Sequence, residues 1–325
     1  MNPRLLGVVA TLATGAIIGG WRAFDLGGAT AWFNSKPLTV QSLRGKVVLV
    51  DIWTYSCINS LRQFPYVMRW AAKYKDAGLV VIGVHTPEFP FEHDHANVAW
   101  AIDNFHVTYP VPMDNDYAIW RSLDNEYWPA DYLMDGQGRV RYTHFGEGNY
   151  AESERMIQQL LKENGATNVP GGTVTITETD IEAPPSQSIE SPETYIGSRR
   201  AEHRVDPLPA TLGLNEWGLA GSWNVGAQSA VLDRLPGAIV FRFHARDLHL
   251  VMGSSIGKPV RFRVTLDGAQ PGEAHGVDVA PDGTGVIRQA RLYQLIRQKT
   301  QKIEDRTFEI EFTDPGVQAF SFTFG

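Results

Sequence analysis

One stretch constrains this chain more than any other. Lys46-Val47-Val48-Leu49-Val50-Asp51-Ile52-Trp53 is a continuous, β-branched apolar run, the pattern of a strand buried on both faces. It ends in Thr54-Tyr55-Ser56-Cys57. Beyond it, Leu61, Phe64, Val67, Met68, Ala71 and Ala72 recur at helical spacing, with a stop near Gly78. Leu79-Val80-Val81-Ile82-Gly83-Val84 reads as a second buried strand. The spacing predicts a β-α-β unit with Cys57 where the first strand meets the helix.

That position gives a cysteine chemistry. A sulfur at a helix start faces unpaired backbone N–H groups and the positive end of the helix dipole, which favour the nucleophilic thiolate. A dipole contribution of about 0.3–2 kcal/mol lowers a thiol pKa by about 0.2–1.5 units. The bland alternative is a buried structural cysteine. Cys57 is the chain's one cysteine, so no intramolecular disulfide forms and cysteine counting does not fix the redox compartment.

Further along, a helix is predicted from about Ala96 to Phe105, a short extended piece at Tyr109-Pro110-Val111, and a helical turn over Tyr117 to Leu123. Tyr132-Leu133-Met134 and Val140 to Phe145, joined by Asp135-Gly136-Gln137-Gly138, read as an antiparallel hairpin. An amphipathic helix follows from about Glu152 to Glu163. The first module thus spans 30–165. Residues 166–190, with Pro170-Gly171-Gly172 and Pro184-Pro185, read as a linker that leaves two independent modules. Within 191–325, alternating segments recur: Ile239 to His244, Leu248 to Met252, Val260 to Leu266, Arg291 to Ile296, Phe308 to Phe312 and Ala319 to Phe324. Turn signals separate many of them, which predicts an all-β, jelly-roll-like sandwich.

At the N-terminus an apolar, Gly-rich run from Leu5 to Trp21 makes residues 1–22 a candidate membrane anchor or signal segment. Either one exports the chain, so the expected location is extracytoplasmic, in the periplasm or on the outer face of the membrane. The formal net charge is −7 and no basic run is present, which argues against nucleic acid as a partner.

The string Trp53-Thr54-Tyr55-Ser56-Cys57-Ile58-Asn59-Ser60-Leu61-Arg62 resembles the active-site segment of thioredoxin-like proteins, and is closest to the C-terminal part of the DipZ thiol–disulfide interchange family. Tyr127-Trp128-Pro129-Ala130 resembles the place where that fold holds a cis-proline facing the active cysteine. Gly83-Val84-His85-Thr86-Pro87-Glu88-Phe89 also resembles the family. So do Ser191-Pro192-Glu193-Thr194-Tyr195-Ile196-Gly197, Arg291-Leu292-Tyr293-Gln294-Leu295 and Phe322-Thr323-Phe324-Gly325, which look like its second, carbohydrate-binding-module-like domain. The resemblance covers roughly 30–325. It implies a thioredoxin-like α/β domain and a β-sandwich, with thiol–disulfide oxidoreductase activity and no cofactor. Its substrates would be disulfide-bonded or thiol-containing exported proteins. A membrane redox partner and a carbohydrate bound by the second domain are further implied partners. Cys57 would be the nucleophile, Pro129 its opposing proline, and Trp53, Tyr55 and Trp128 the substrate-holding surface. Glu88 would shuttle protons near the sulfur, or be a solvated loop carboxylate.

One departure is chemical. The family's second cysteine is Ser60 here. In a C-x-x-C pair the second thiolate releases the mixed disulfide formed by the first, and a hydroxyl does not. Three readings follow: a monothiol domain resolved by external thiols, an introduced Cys→Ser substitution that traps partners, or binding retained without turnover. Two other function classes compete. A peroxiredoxin-like peroxide reductase would place proline where Val50 stands, although Thr54 fits. A non-catalytic carbohydrate- or partner-binding scaffold would need no thiolate at all. His85, His93 and His95 fit no strong zinc spacing and read as exposed loop histidines, so no metal is expected. Trp217 and Trp223 read as core residues of the sandwich ahead of sugar-stacking platforms.

Overall fold

The apolar run at 47–53 forms the buried centre of a sheet because it has partners on both sides. The computed structural model describes residues 24–176, 186, 188–299 and 302–325. The candidate anchor at 1–22 lies outside them. Among the described residues no helix is long and apolar enough to cross a membrane.

The first module contains β1 (Ala31–Phe33), β2 (Val47–Trp53), α1 (Ile58–Tyr74), β3 (Leu79–His85), α2 (His95–Asn104), β4 (Val111–Met113), α3 (Ala118–Ser122), β5 (Ala130–Met134), β6 (Val140–Phe145) and α4 (Tyr150–Glu163). Its six strands run in the order β1-β4-β3-β2-β5-β6. β2 and β3 are parallel, with Val47 opposite Leu79 and Trp53 opposite His85, while β5 joins the other edge of β2 antiparallel. Side chains alternate across the sheet. Val47, Leu49 and Trp53 meet Phe64, Val67 and Trp70 of α1. Val48, Val50 and Ile52 meet Phe24, Leu26 and Ile119 on the other face. The short extended piece expected at Tyr109 begins at Val111 instead.

The second module holds β7 (Thr194–Tyr195), β8 (Trp217–Val225), β9 (Ala230–Phe243), β10 (Asp247–Ser254), β11 (Val260–Leu266), β12 (Thr284–Ile287), β13 (Arg291–Arg297), β14 (Arg306–Phe312) and β15 (Val317–Phe324). They form one curled antiparallel sheet in the order β12-β11-β14-β9-β15-β10-β13, with β7 on β15 and β8 on β9. β9 produces the curl. Its start pairs with β15 and its end, from Gly237 to Phe243, with β14. The sheet thereby folds over itself into two layers. Phe322 packs between them, 4.9 Å from Phe241 and 6.0 Å from Phe308 between ring centroids. Trp217 is fully buried and donates its indole N–H to Glu202 O. Trp223 packs edge-on to Phe312 at 5.8 Å.

The two modules pack against each other. β10 and β15 pair Val251 with Ser321 but Met252 with Ala319, so Phe320 is a bulged residue. A bulge re-aims the side chain that alternation would place inside. Phe320 leaves its own core and packs against Phe89 at 5.3 Å and Phe91 at 4.9 Å. Val251 and Leu292 join it, making one apolar cluster with Tyr55, Leu61 and Val98 of the first module. Charge crosses the same boundary. Arg62 on α1 is buried, 2.9 Å from Glu147 and 3.8 Å from Asp247 of the second module. The first part of the expected linker is also docked. Gly172 O accepts from Lys73 and Gln158, and the Val174 N–H donates to Glu154 at 2.6 Å. These groups exist only where α1 and α4 converge. Residues 177–185 and 187 are outside the described ones.

Candidate active site

β2 delivers the chain to the top edge of the sheet, where Trp53 O accepts from the Thr86 N–H at 3.0 Å. The next turn is held by a group that sequence reasoning did not single out, Glu92. Its fully buried carboxylate accepts from Thr54 Oγ1 at 2.5 Å, from the Ser56 hydroxyl at 2.6 Å and from the Ser56 N–H at 3.3 Å. Its other oxygen accepts from the N–H groups of Glu88 and Phe89. One carboxylate therefore ties the Thr54–Ser56 turn to the loop that carries Glu88.

Cys57 emerges from this turn as the N-cap residue of α1, partly exposed. Its Sγ lies 3.8 Å from Trp128 O, and the Trp128–Pro129 peptide is cis. Pro129 itself is buried behind that carbonyl. Ser60 is fully buried one turn along α1, and its hydroxyl has no hydrogen-bond partner among the described residues. The Ser60 N–H favours a Cys57 thiolate, yet it does not prevail. Burial first, and the Glu88 carboxylate second, push the thiol up to about 12. The lowered pKa expected from the helix start is thus overturned: desolvation in the crowded cleft outweighs a dipole contribution of about 2 kcal/mol at most. At neutral pH the resting sulfur is a thiol that needs a base.

Glu88 is a titratable neighbour of that sulfur. It lines the same cleft, of about 400 Å³, as Cys57, Asn59 and Trp128. Burial, with the Glu193 carboxylate next, raises its carboxyl to about 8. A carboxyl that titrates near neutral pH suits proton transfer. The cleft's opposite wall comes from the second module, through Glu193, Tyr195 and Arg200. Sequence reasoning quoted Glu193 and Tyr195 only as parts of a motif.

Two residues expected on the substrate surface are not there. Trp53 is wholly buried at the end of β2, edge-on to Phe64 at 4.8 Å and His85 at 4.9 Å. Tyr55 is buried against His85 and Trp100. Both pack the core because they point under the sheet edge, towards α1 and the second module. Trp128 does reach the cleft, with its indole N–H donating to Thr86 O at 3.0 Å. His85 is no loop histidine either. It is fully buried between Trp53 and Tyr55, and burial lowers its pKa to about 3. His93 and His95 are exposed. No group of three or more His, Cys, Asp or Glu among the described residues is arranged to hold a metal ion.

Beneath the site lies a second unforeseen feature. Asp51 and Asp131 sit opposite each other in the β2–β5 register, both buried. Gln63 of α1 donates to both, at 3.0 and 3.1 Å. Burial raises both carboxyls, Asp51 to about 7, and the facing Asp51 carboxyl adds to the rise at Asp131.

Both modules are similar to known proteins. A redoxin family model matches residues 30–160, and a model for a thioredoxin-like C-terminal domain matches 191–325. Protein DipZ of Mycobacterium bovis is 37% identical over 323 residues, covering 93% of this chain and 42% of that protein. The chain therefore spans less than half the length of the DipZ relatives it matches. The thiol-disulfide oxidoreductase YkuV of Bacillus subtilis is 29% identical over 139 residues, 43% of this chain and 93% of that one. Among solved structures, a thioredoxin-like protein in its oxidized form is 30% identical, with 42% of this chain and 91% of that chain covered and a TM-score of 0.39.

Proposed function

From the premise that this chain is a DipZ homologue, a redoxin domain joined to a thioredoxin-like C-terminal domain, we propose that it carries out thiol–disulfide exchange through Cys57 as a monothiol. The observation that carries the reading is the pairing of Cys57 at the α1 N-cap with the Trp128 carbonyl, 3.8 Å from the sulfur, in a cleft that also holds Glu88. Glu88 accepts the thiol proton. The thiolate attacks one sulfur of a substrate disulfide, the Cys57–substrate bond forms as the substrate S–S bond breaks, and the departing thiolate takes the proton from Glu88. With Ser60 in the resolving position, the mixed disulfide persists until an external thiol displaces it.

Substrates in this reading are exported proteins that carry disulfides or thiols, with a membrane redox partner upstream. The apolar run at 1–22 and the extent of the DipZ similarity support an extracytoplasmic location. Membrane fractionation with and without residues 1–22 tests that: equal cytoplasmic solubility of both forms sinks it.

The exchange reading is tested on non-reducing gels with a disulfide-bonded protein. The parent chain accumulates a Cys57 adduct that glutathione releases. The S60C variant loses the adduct and gains dithiol turnover, because i and i+3 sulfurs at a helix start meet the Cα separation of about 4.4–6.8 Å that a disulfide requires. A parent chain without an adduct, together with a variant without activity, refutes thiol–disulfide exchange here.

A further inference from the structure

We propose that the second module completes the proton-handling half of the Cys57 site, with Tyr195 and Arg200 as positioning residues that hold the Glu88 carboxyl. This rests on the exchange reading above and goes beyond it, because it assigns a chemical task to a domain that the thiol chemistry alone does not require.

The contact is direct. Tyr195 Oη donates to Glu88 Oε1 at 2.5 Å, across 107 positions of sequence. Arg200 Nη1 stands 3.6 Å from the same oxygen, and its guanidinium lies 3.3 Å from the Tyr195 ring centroid. Among the described residues, Tyr195 is the one side chain that hydrogen-bonds this carboxyl. Nor is the tyrosine a loosely held surface group. β7 pairs Tyr195 with Ser321, the Ile196 N–H donates to Phe320 O at 2.8 Å, and Ile196 is buried in the second core. The bulge that sends Phe320 into the first module therefore lies beside the backbone that aims Tyr195 at Glu88.

The groups facing Glu88 have opposing effects. From the first module come Cys57, Glu92 and Tyr117; from the second come Glu193, Tyr195 and Arg200. Burial, Glu193 and Glu92 favour the neutral acid, while Tyr195 and Arg200 favour the carboxylate. Without the latter two, the proton would stay on Glu88 and the Cys57 thiol would lose its acceptor. With them, the acid stays poised between the two states near neutral pH. The proton then leaves Sγ for Glu88 and returns to the departing sulfur, with no net change in oxidation across the exchange.

Cys57 is the chain's one thiol, so its alkylation by iodoacetamide, followed by mass spectrometry of the full chain from pH 5 to pH 10, reads the site directly. The parent profile carries an inflection from Glu88 near pH 8. Y195F removes one oxygen and shifts that inflection upward by about one pH unit, the size expected from losing a hydrogen bond to a charged group. R200Q, at an exposed position whose loss leaves the core intact, shifts it in the same direction by less. E88Q abolishes the inflection, and Y195F added to E88Q changes nothing further. An unmoved inflection in Y195F overturns the proposal, and so does an equal shift on the E88Q background. Alkylation needs no disulfide substrate. A chain that shows the shift but forms no adduct on gels therefore refutes exchange while the Tyr195–Glu88 coupling stands, and the converse result refutes the coupling alone.

Discussion

Replacing Asp51 by Asn should stabilise the protein increasingly as pH rises from about 4 to 7 and do little below about pH 4. Asp51 is buried under α1, its carboxyl raised from 3.8 to about 7 by desolvation. Below pH 3.8 the group is protonated in folded and unfolded chains alike and imposes no penalty. As pH rises through 3.8, the unfolded chain releases a proton that the folded chain retains, and stability falls by about 1.4 kcal/mol per pH unit until the folded group also ionises near 7. Between pH 5 and pH 8 that is about two units, or about 3 kcal/mol. An amide at position 51 does not titrate. Its oxygen still accepts from Gln63 Nε2, which now donates to Asp51 Oδ1 at 3.0 Å, and it no longer repels Asp131. Urea unfolding of parent and D51N chains, followed by tryptophan fluorescence at pH 5 and pH 8, reads the difference. The gap in favour of D51N should widen by about 3 kcal/mol over that interval. A gap that stays flat, or that favours the parent more at pH 8, would show that the carboxyl ionises at its ordinary pH and that the buried-pair reasoning is wrong.

Other perturbations test the scaffold around the thiol. E92A leaves five donors from Thr54, Ser56, Glu88 and Phe89 without their acceptor; thermal unfolding should show a loss of about 3 kcal/mol or more, and a loss below about 1 kcal/mol would mean that the turn is held by other contacts. R62A strands the half-buried Glu147 and cuts the link to Asp247. It should destabilise the chain by about 3–5 kcal/mol and split one calorimetric transition into two, whereas a single unshifted transition would argue that the apolar contact alone joins the modules.

Sequence periodicity revealed β2, α1, β3 and the placing of Cys57 because those signals are local. Strands such as Val260–Leu266 alternate apolar and polar residues and end where the alternation ends. β8 escaped notice because Trp217-Gly-Leu-Ala-Gly-Ser-Trp-Asn-Val225 has two glycines and no clean alternation; its strand state comes from pairing with β9, bulges included. Glu92 and Asp51 escaped for another reason. A carboxylate in a loop or inside an apolar strand has no periodic signature, and its role depends on donors that the fold brings from elsewhere. The same holds for Tyr195 and Arg200, which meet Glu88 only after the two modules close. Trp53 and Tyr55 were misplaced because proximity to the cysteine along the chain does not say which way a side chain turns at the sheet edge.

The bulge at Phe320 has a consequence for insertions and deletions. Removing this one residue would restore unbroken alternation along β15, and Ala319 through Phe324 would then be an ordinary strand by every local measure of propensity. Yet the aromatic that seats on Phe89 and Phe91 would be gone, and with it the local offset beside Tyr195. A length change of one amino acid, invisible to any test of secondary structure, would strip the shared cleft of the aromatic wedge between its two walls and leave Arg62 and Asp247 to hold them together.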